Sequence, residues 1–362
     1  MDTIVEEQAD RVEVVGGVDT HRDTHTAAVI DTVGRLLDHR QFPADGPGYA
    51  ALLAWLDTFG TVLVIGVEGS GSYGAGLCVH AHGKGVEVLE VDRPDRKTRR
   101  FAGKSDPIDA EAAARAALAR VRTGVPKTRQ GSVEALRNLR VARRSAVEQR
   151  ADVIRQIKSL VITAPEGLRA RLSSCTGAQL LTVCAGLRPV LARVGEPEQA
   201  VKVALRSLAR RHATLSQEIA DLDALIGPLV TSINPRLQEL AGVGPDNAGQ
   251  LLVTAGQNAD RVRSEASFAM LCGVSPIPAS SGRTNRHRLN RGGDRQANAA
   301  LYRVVLTRLR WDERTQAYMA RRTAEGLSKK EIIRCLKRLI AREIYYVITN
   351  HHDPTTHLNH AA

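Results

Sequence analysis

Residues 12–19, VEVVGGVD, form a short apolar run that ends in an acidic residue. A run of this length is typical of a buried β-strand. Residues 61–67, TVLVIGV, repeat the pattern and lead directly into Glu68. Between the two runs the sequence predicts two further strands, at residues 27–31 and 34–41, which complete a three-strand meander. A helix is predicted next, at residues 48–59.

The alternation of strands and helices continues to residue 121. Residues 73–82 are compatible with a helix, residues 86–91 with a strand, and the alanine-rich residues 106–121 with a further helix. The predicted order is therefore three strands, helix, strand, helix, strand and helix, which is the order of a ribonuclease-H-like fold. We expect an α/β domain of this class over residues 1–128.

The remaining chain predicts an all-α architecture. Residues 132–163 contain no glycine or proline and place apolar residues among long charged side chains, which is typical of an exposed or coiled-coil helix. A second long helix is predicted over residues 199–226, ended by Gly227 and Pro228. We expect a helical coiled-coil region over residues 129–230, which serves as linker and oligomerisation region. A mainly helical C-terminal domain is expected over residues 231–350, followed by a tail over residues 351–362.

Four acidic residues of the N-terminal domain are placed where they can share a site. Asp19 ends the first strand and Glu68 follows the fourth, while Asp106 and Asp109 lie on one face at the start of the last helix. The ends of the first and fourth strands are neighbours in the predicted fold, and the helix can pack its first turn against them. Converging carboxylates repel one another unless a cation lies between them, and oxygen ligands suit Mg²⁺ or Mn²⁺ in phosphoryl transfer.

Each acid also has a simpler interpretation. Strand-end acids often face water, and acids in a first helical turn are favoured by the helix dipole. The combination of four favours a metal site. Four glycines near two of the acids predict backbone room for a phosphate chain: Gly16, Gly17, Gly69 and Gly71. The nearby His21 and His25 are more typical of a surface turn than of metal ligands.

The chain has a formal net charge of +12, which points towards nucleic acid, and an aromatic content of only 3%, which disfavours recognition by bases stacked on exposed rings. The long helix at 132–163 is too rich in arginine for a salt-bridged coiled coil and is instead typical of a surface that follows a phosphate backbone. The candidate contacts lie before the acidic pair, along this helix and in the C-terminal domain: Arg93, Arg96, Lys97, Arg99, Arg100, Lys104, Arg140, Arg143, Arg144, Arg283, Arg286, Arg288, Arg291 and Arg295.

Two motifs stand out in the C-terminal domain. Residues 237–245, LQELAGVGP, have the pattern of a helix-hairpin-helix, in which backbone N–H groups near Gly242 and Gly244 bind a phosphate; a plain turn between packed helices is the alternative. Ser280-Ser281-Gly282 places two hydroxyls on a tight turn among arginines. A serine in such a field can attack phosphorus, although the turn alone is more often only a turn.

These motifs together resemble the DEDD transposases of bacterial insertion sequences, in the one-hundred-ten family, whose N-terminal domain is related to the RuvC Holliday-junction resolvase. The N-terminal resemblance rests on Val18-Asp19-Thr20-His21, Glu68 and residues 105–110, SDPIDA. The C-terminal resemblance rests on residues 242–245, 273–276, 280–282 and 291–295. It covers essentially the whole chain, in order.

The resemblance implies a DNA transposase or recombinase that excises and inserts an insertion sequence. Asp19, Glu68, Asp106 and Asp109 would bind Mg²⁺ or Mn²⁺, and Ser281, with Ser280 as the alternative, would form a covalent phosphoserine link to DNA. The implied partners are double-stranded DNA at the element ends and target, a structured non-coding guide RNA, and further copies of the chain, as a dimer or a tetramer on DNA with a composite site.

Two other functions stay open: a RuvC-like structure-specific endonuclease that uses metal-activated water, and a non-catalytic nucleic-acid-binding protein. No stretch of the sequence approaches the roughly 20 apolar residues of a membrane span, and the first residues lack the apolar run of a signal peptide. We therefore expect no membrane partner and a cytoplasmic, nucleoid-associated protein.

Overall fold

The structure is a computed structural model of the chain and describes residues 12–92, 105–282 and 287–349. The chain divides into two compact units. The first comprises residues 1–131 with 255–263, and the second residues 132–254 with 264–362. The first division lies close to the predicted boundary at residue 128, whereas residue 230 falls within the second unit. The predicted tail lies outside the described residues.

The first unit is built on a six-stranded mixed sheet with the strand order β3-β2-β1-β4-β5-β6. Strands β1, β2 and β3 form an antiparallel meander, β4 and β5 join β1 in parallel, and β6 is antiparallel to β5. This topology confirms the predicted ribonuclease-H-like fold; only the two-residue β6 was not predicted. The strands are β1 Glu13–Thr20, β2 Thr24–Asp31, β3 Leu36–Pro43, β4 Thr61–Glu68, β5 Val88–Val91 and β6 Thr123–Gly124.

Helices cover both faces of this sheet. One face packs its apolar residues against α1 (Gly46–Asp57) and α2 (Ala75–Gly83). The other packs against α3 (Asp106–Ala119). Because successive strand residues point to opposite faces, Val14 of β1 joins the first cluster and Val15 joins the second.

The second unit begins with two long helices. They are α4 (Gly131–Ile162) and α7 (Pro197–Ile233), connected by α5 (Glu166–Ser173), α6 (Gly177–Ala185) and a 3₁₀ turn at Leu191–Arg193. The long helices pack in one apolar cluster with α5 and α6. They run antiparallel, because Arg143 contacts Asp223 while Arg150, further along α4, contacts the earlier residue Ser216.

The predicted end of the second long helix at Gly227 and Pro228 is wrong, since α7 continues to Ile233. Pro228 lies on the exposed face, and the buried residues Ile226 and Val230, one turn apart, keep the apolar stripe of the helix in place. Tertiary packing therefore outweighs the hydrogen bond that a proline removes from a helix interior.

The C-terminal part of the second unit is mainly helical, as predicted. A short hairpin of two-residue strands interrupts it: β7 (Ile277–Pro278) pairs antiparallel with β8 (His287–Arg288). Among the described helices none has the length and apolar character needed to cross a bilayer. The helices are α8 Arg236–Glu239, α9 Pro245–Ala255, α10 Glu265–Leu271, α11 Arg295–Trp311, α12 Glu313–Ala324 and α13 Lys329–Ile348, with a 3₁₀ turn at Ala259–Arg261 that belongs to the first unit.

Candidate active site

Strand register places two of the predicted acids side by side. Asp19 near the end of β1 is the direct partner of Glu68 at the end of β4. Residues an even number of positions apart in a strand point to the same face of the sheet. Asp19 is four residues from Val15 and Glu68 is four residues from Val64, and both valines pack on the face that α3 covers. Both acids therefore lie on that face. The two residues are 8% and 7% exposed. The structure therefore buries two neighbouring carboxylates beneath the helix that carries the other two acids.

Helix α3 approaches the sheet closely because the residues of both the helix and the sheet have small side chains at the contact. Gly17 of β1 and Gly66 of β4 are register partners. A Cβ atom on Gly17 would lie 2.2 Å from the carbonyl oxygen of Ala110, and one on Gly66 would lie 2.4 Å from that of Ala113. The backbone of α3 thus rests directly on two strand glycines, which holds its first turn, with Asp106 and Asp109, at the strand ends.

A cluster of potential metal ligands lies at this edge. Ligand atoms of Asp19, His21 and Asp106 all lie within 4.8 Å of one another. The Nδ1 atom of His21 is 3.8 Å from an Asp19 carboxylate oxygen and 4.0 Å from one of Asp106. Asp109 follows one turn along α3 and is 5% exposed. The structure brings Asp19, Asp106 and His21 together, with Glu68 next to Asp19 on the sheet.

His21 was not expected in the site, because histidines in a turn are usually surface residues. Its imidazole is 47% exposed but lies between two of the acids. The signal was present in the spacing, since residues 19 and 21 point to the same side of an extended chain. His25 differs: it is buried in β2 and stacks on Tyr49 with ring centroids 5.6 Å apart. Burial lowers the pKa of His25, which favours its neutral form.

The predicted phosphate room at the first two glycines is wrong. The backbone of α3 fills the space at Gly17, and a Cβ on Gly16 would lie 3.0 Å from the side chain of Leu56 in the core. Gly69 instead has a positive φ of 77° directly after Glu68. The hydroxyl of Thr20 donates a 2.8 Å hydrogen bond to the carbonyl oxygen of Glu68, which ties the two strand ends together.

The residues present fit a divalent metal ion. Carboxylate oxygens suit Mg²⁺ and Mn²⁺, and an imidazole is a better ligand for Mn²⁺ than for Mg²⁺. Burying several like-charged carboxylates at one edge is costly unless positive charge compensates them. The donor set is thus chemically suited to hold such an ion, with ligand atoms of Asp19, His21 and Asp106 close together.

The predicted nucleophilic serines lie on an exposed hairpin of the second unit. Ser280 and Ser281 follow β7, and both are exposed. Gly282 has a positive φ of 54°, and a Cβ on this residue would meet no atom of the described chain within 4 Å. Three of the arginines expected around them, on or after β8, are exposed: Arg288, Arg291 and Arg295. The other two, Arg283 and Arg286, lie outside the described residues.

Two glycine turns anchor the base of this hairpin. Gly273 and Gly293 have positive φ angles of 66° and 80°, and a Cβ on Gly293 would lie 2.6 Å from the backbone nitrogen of Gly273. Asp294, the next residue, caps α11 by accepting hydrogen bonds from the backbone N–H groups of Gln296 and Ala297. The residues 291–295 therefore provide backbone packing and a helix cap at the base of the hairpin that carries the serines.

The predicted helix-hairpin-helix is realised in part. Gly242 has a positive φ of 74°, and α9 begins at Pro245 as expected, but the preceding helix α8 has only four residues. Arg308 of α11 donates a 2.8 Å hydrogen bond to the carbonyl oxygen of Ala241. Gly242 packs against α11, whereas Gly244 has open space beside it among the described residues.

Two arginines predicted to contact nucleic acid are engaged inside the second unit. The Arg140 side chain is 12% exposed and donates to the Asp246 carboxylate at 3.0 Å. Arg143 donates to Asp223 and to Asp246, and the hydrogen bond to Asp223 raises its pKa. Counting the acidic residues along α4 in the sequence missed these partners, because Asp223 lies on α7 and Asp246 on α9.

Arg144, by contrast, is 50% exposed, and its guanidinium lies 3.9 Å from the Glu148 carboxylate. Its role at a nucleic-acid surface stays a prediction. The dense basic stretch before the acidic pair lies outside the described residues: Arg93, Arg96, Lys97, Arg99, Arg100 and Lys104.

Two family models match the chain. Residues 16–164 match a transposase model of the DEDD type from the IS110 family, that is, the insertion-sequence family one hundred and ten. Residues 234–320 match a model described as transposase of the IS116/IS110/IS902 family. The first match contains all four acids and the second contains both serines. No curated protein matches the chain significantly.

Proposed function

Because the chain belongs to the IS110 family of transposases, we propose that it excises and inserts DNA through a divalent-metal site in the first unit and a serine nucleophile in the second. The observation that carries the metal part is the cluster of Asp19, His21 and Asp106 beside Glu68. Asp109, also in the first turn of α3, completes the acidic set. When bound there, a divalent ion supplies Lewis-acid stabilisation of phosphate charge.

In the proposed mechanism, the Oγ atom of Ser281 attacks a phosphorus atom of the DNA backbone. The Oγ–P bond forms as the bond from phosphorus to a deoxyribose oxygen breaks, and the hydroxyl proton ends on the departing sugar oxygen. A sugar hydroxyl of another strand then attacks the phosphoserine, which joins the strands and restores the serine. Each step exchanges one phosphodiester for another, so no external energy source is needed. Exposure of the serine turn supports this role.

We further propose that a structured non-coding RNA and further copies of the chain complete the active complex. The net charge of +12 suits two nucleic-acid partners. Several large apolar side chains on the long helices are exposed, which suits an oligomer contact. They are Val141, Ile162 and Leu225.

The serine proposal is tested by looking for denaturant-resistant protein–DNA adducts. Full-length protein is incubated with element-end DNA, the adjacent non-coding RNA and Mg²⁺, and adducts are resolved by denaturing electrophoresis. We expect adducts from wild type and from Ser280→Ala, and none from Ser281→Ala or Asp19→Ala. Adducts that persist in Ser281→Ala but vanish in Ser280→Ala move the nucleophile to Ser280. Cleavage of branched DNA without any adduct selects the RuvC-like endonuclease with water as the nucleophile.

The metal proposal is tested separately by Mn²⁺ binding, followed by electron paramagnetic resonance without DNA. We expect Asp19→Asn to abolish tight binding and His21→Ala to weaken it about tenfold or more, a loss of the size seen when groups that support a metal site are removed. His82→Ala is the control, because His82 is an exposed histidine on α2. Equal affinities in wild type and His21→Ala would show that the imidazole is not part of the site.

A further inference from the structure

A cavity of 420 Å³ lies in the C-terminal part of the second unit, among α11, α12 and α13. Its volume falls within the range of about 300–1,000 Å³ that small-ligand sites occupy. None of the four acids and neither serine lines it. The cavity is therefore a candidate site separate from the proposed catalytic residues.

The floor of the cavity is apolar and electrically balanced. Arg308 and Glu343 are buried and form an ion pair at 2.8 Å. Arg308 also donates to the carbonyl oxygen of Ala241, so this guanidinium already has fixed partners. Leu336 and Ile340 of α13 are buried beside the pair. A ligand that enters the cavity meets hydrocarbon and a neutralised ion pair at the bottom.

The residues that line the cavity include three arginines against one acid, Glu343, while Asp312 interacts with Arg314 from outside the lining. Arg314 and Arg321 lie seven residues apart on α12, which places them on one face of the helix, and both line the cavity and are exposed. Arg321 lies 3.9 Å from Glu325, and Arg322 pairs with the same carboxylate, so two arginines share one acid. An anionic group at the rim would therefore be favoured.

Tyr318 lies between these two arginines in the sequence of α12 and also lines the cavity. The guanidinium carbon of Arg321 is 5.5 Å from the centroid of its ring. Burial raises the pKa of Tyr318, so the phenol stays protonated at neutral pH. Aromatic residues make up only 3% of the chain, which makes a half-buried ring between two arginines a distinctive local composition.

We propose that this cavity binds one unstacked nucleotide of a single strand, with the phosphate held by Arg314 and Arg321 and the base packed against Tyr318 and the aliphatic wall. Guanidinium groups bind phosphate oxygens in charge-assisted pairs, and bases released from a duplex stack on aromatic rings and arginine planes. Exchange of DNA strands requires unpaired nucleotides, so such a site has a use in a transposase. The inference needs neither the metal nor the serine.

The test is isothermal titration of full-length protein with a 5′-phosphorylated thymidine trinucleotide, in buffer with a chelator and no divalent metal. We expect Arg314→Ala with Arg321→Ala to weaken binding about tenfold. Tyr318→Leu should weaken it about fivefold or more, the lower end of what a stacked base contributes, whereas Tyr318→Phe should stay within about twofold of wild type. Arg310→Ala is the matched control, because Arg310 is an exposed arginine on α11 that does not line the cavity.

Further ligands identify what the site recognises. If thymidine monophosphate binds as tightly as the trinucleotide, the proposal that the ligand is part of a single strand is contradicted, and the site binds a free nucleotide instead. Inorganic phosphate that binds equally well would overturn the proposal, as would an equal loss in Arg310→Ala. If Tyr318→Leu fails to fold by circular dichroism, photo-cross-linking of a 5-iodouracil trinucleotide decides instead. A cross-link to the α12 peptide supports the site, and cross-links only elsewhere reject it.

Discussion

Asp294 links three helices, α9, α10 and α11, at the base of the hairpin that carries the serines. One carboxylate oxygen caps α11 through the N–H groups of Gln296 and Ala297, and the other accepts a 2.7 Å hydrogen bond from the hydroxyl of Thr254 on α9. Its own backbone N–H donates to the carbonyl oxygen of Leu271 at the end of α10. A single residue thus fixes where α11 begins relative to the chain that enters the hairpin.

We expect Asp294→Ala to lower the free energy of unfolding by about 2 kcal/mol, because a helix cap is lost together with the hydrogen bonds that Thr254 and Gln250 donate to the carboxylate. Urea unfolding followed by circular dichroism measures the change. Asp260→Ala, at an exposed aspartate, is the control and should change stability by less than about 0.5 kcal/mol. Equal stability of the two variants would contradict the capping role.

At this scale the sequence predicted that Asp19 and Glu68 are neighbours, because the predicted strand order places the ends of the first and fourth strands side by side. It was less informative about His21, whose meaning depends on which element faces the strand end. The sequence alone does not reveal that α3 comes so close, since this depends on Gly17 and Gly66 being register partners. The assignment of these residues to metal binding stays a proposal.

The packing of α3 on the sheet determines the geometry of the acidic cluster. Four alanines of α3, Ala110, Ala113, Ala114 and Ala117, are almost completely buried against the sheet. Small residues on both surfaces let backbone approach backbone, and the acids in the first turn of the helix depend on that approach. Any side chain larger than hydrogen at Gly17 must push the helix away.

We expect Gly17→Ala to destabilise the protein by about 3 kcal/mol, because its Cβ would lie 2.2 Å from backbone atoms of α3 that cannot rotate away. Mn²⁺ affinity should also fall, since Asp106 moves with the helix. Gly83→Ala is the matched control: it adds the same methyl group on α2, where no atom of the described residues lies within 4 Å. Thermal unfolding and Mn²⁺ titration measure both effects, and unchanged metal affinity in a folded Gly17→Ala protein would contradict the argument.

The two neighbouring arginines of α4 should behave in opposite ways. Arg143→Ala breaks ion pairs with Asp223 and Asp246 and should cost about 1–2 kcal/mol of stability. Arg144→Ala should change stability by less than about 0.5 kcal/mol but reduce affinity for nucleic acid, because its side chain is half exposed. Chemical unfolding and filter binding measure the two effects. Equal stability losses in both variants would contradict the division.

The sequence predicted helices and strands wherever local periodicity decided the outcome, as in α4 and the meander. It failed where distant partners decided. The end of α7 depends on the burial of Ile226 and Val230, and the pairing of Arg140 and Arg143 depends on acids more than 75 residues away along the chain. A count of acids along one helix does not include such partners.

Across the whole molecule, the positive charge is distributed in a way that the total does not show. Many arginines of the described helices are paired with nearby acids and contribute little net field. Six basic residues fall within residues 93–104, against Asp95 as the sole acid there. We therefore expect this stretch, rather than the long helix α4, to dominate the electrostatic attraction of nucleic acid.

Replacing the six basic residues of this stretch with glutamine halves the formal net charge of +12. Each lost phosphate contact reduces the slope of log affinity against log salt by about 0.9, so loss of six contacts reduces it by about 5. Filter binding of duplex DNA between about 50 and 200 mM salt measures the slope. The replaced residues are Arg93, Arg96, Lys97, Arg99, Arg100 and Lys104.

The matched control removes the same charge from six arginines that already have carboxylate partners: Arg115, Arg120, Arg137, Arg155, Arg169 and Arg193. Their substitution removes one cationic partner from each of six acids, so a purely global effect of net charge would lower affinity equally in both variants. A specific contact surface would change the slope by about 5 in the first variant and by less than about 1 in the control. Equal slopes in the two variants would contradict a local basic surface and leave only the overall charge as the source of attraction.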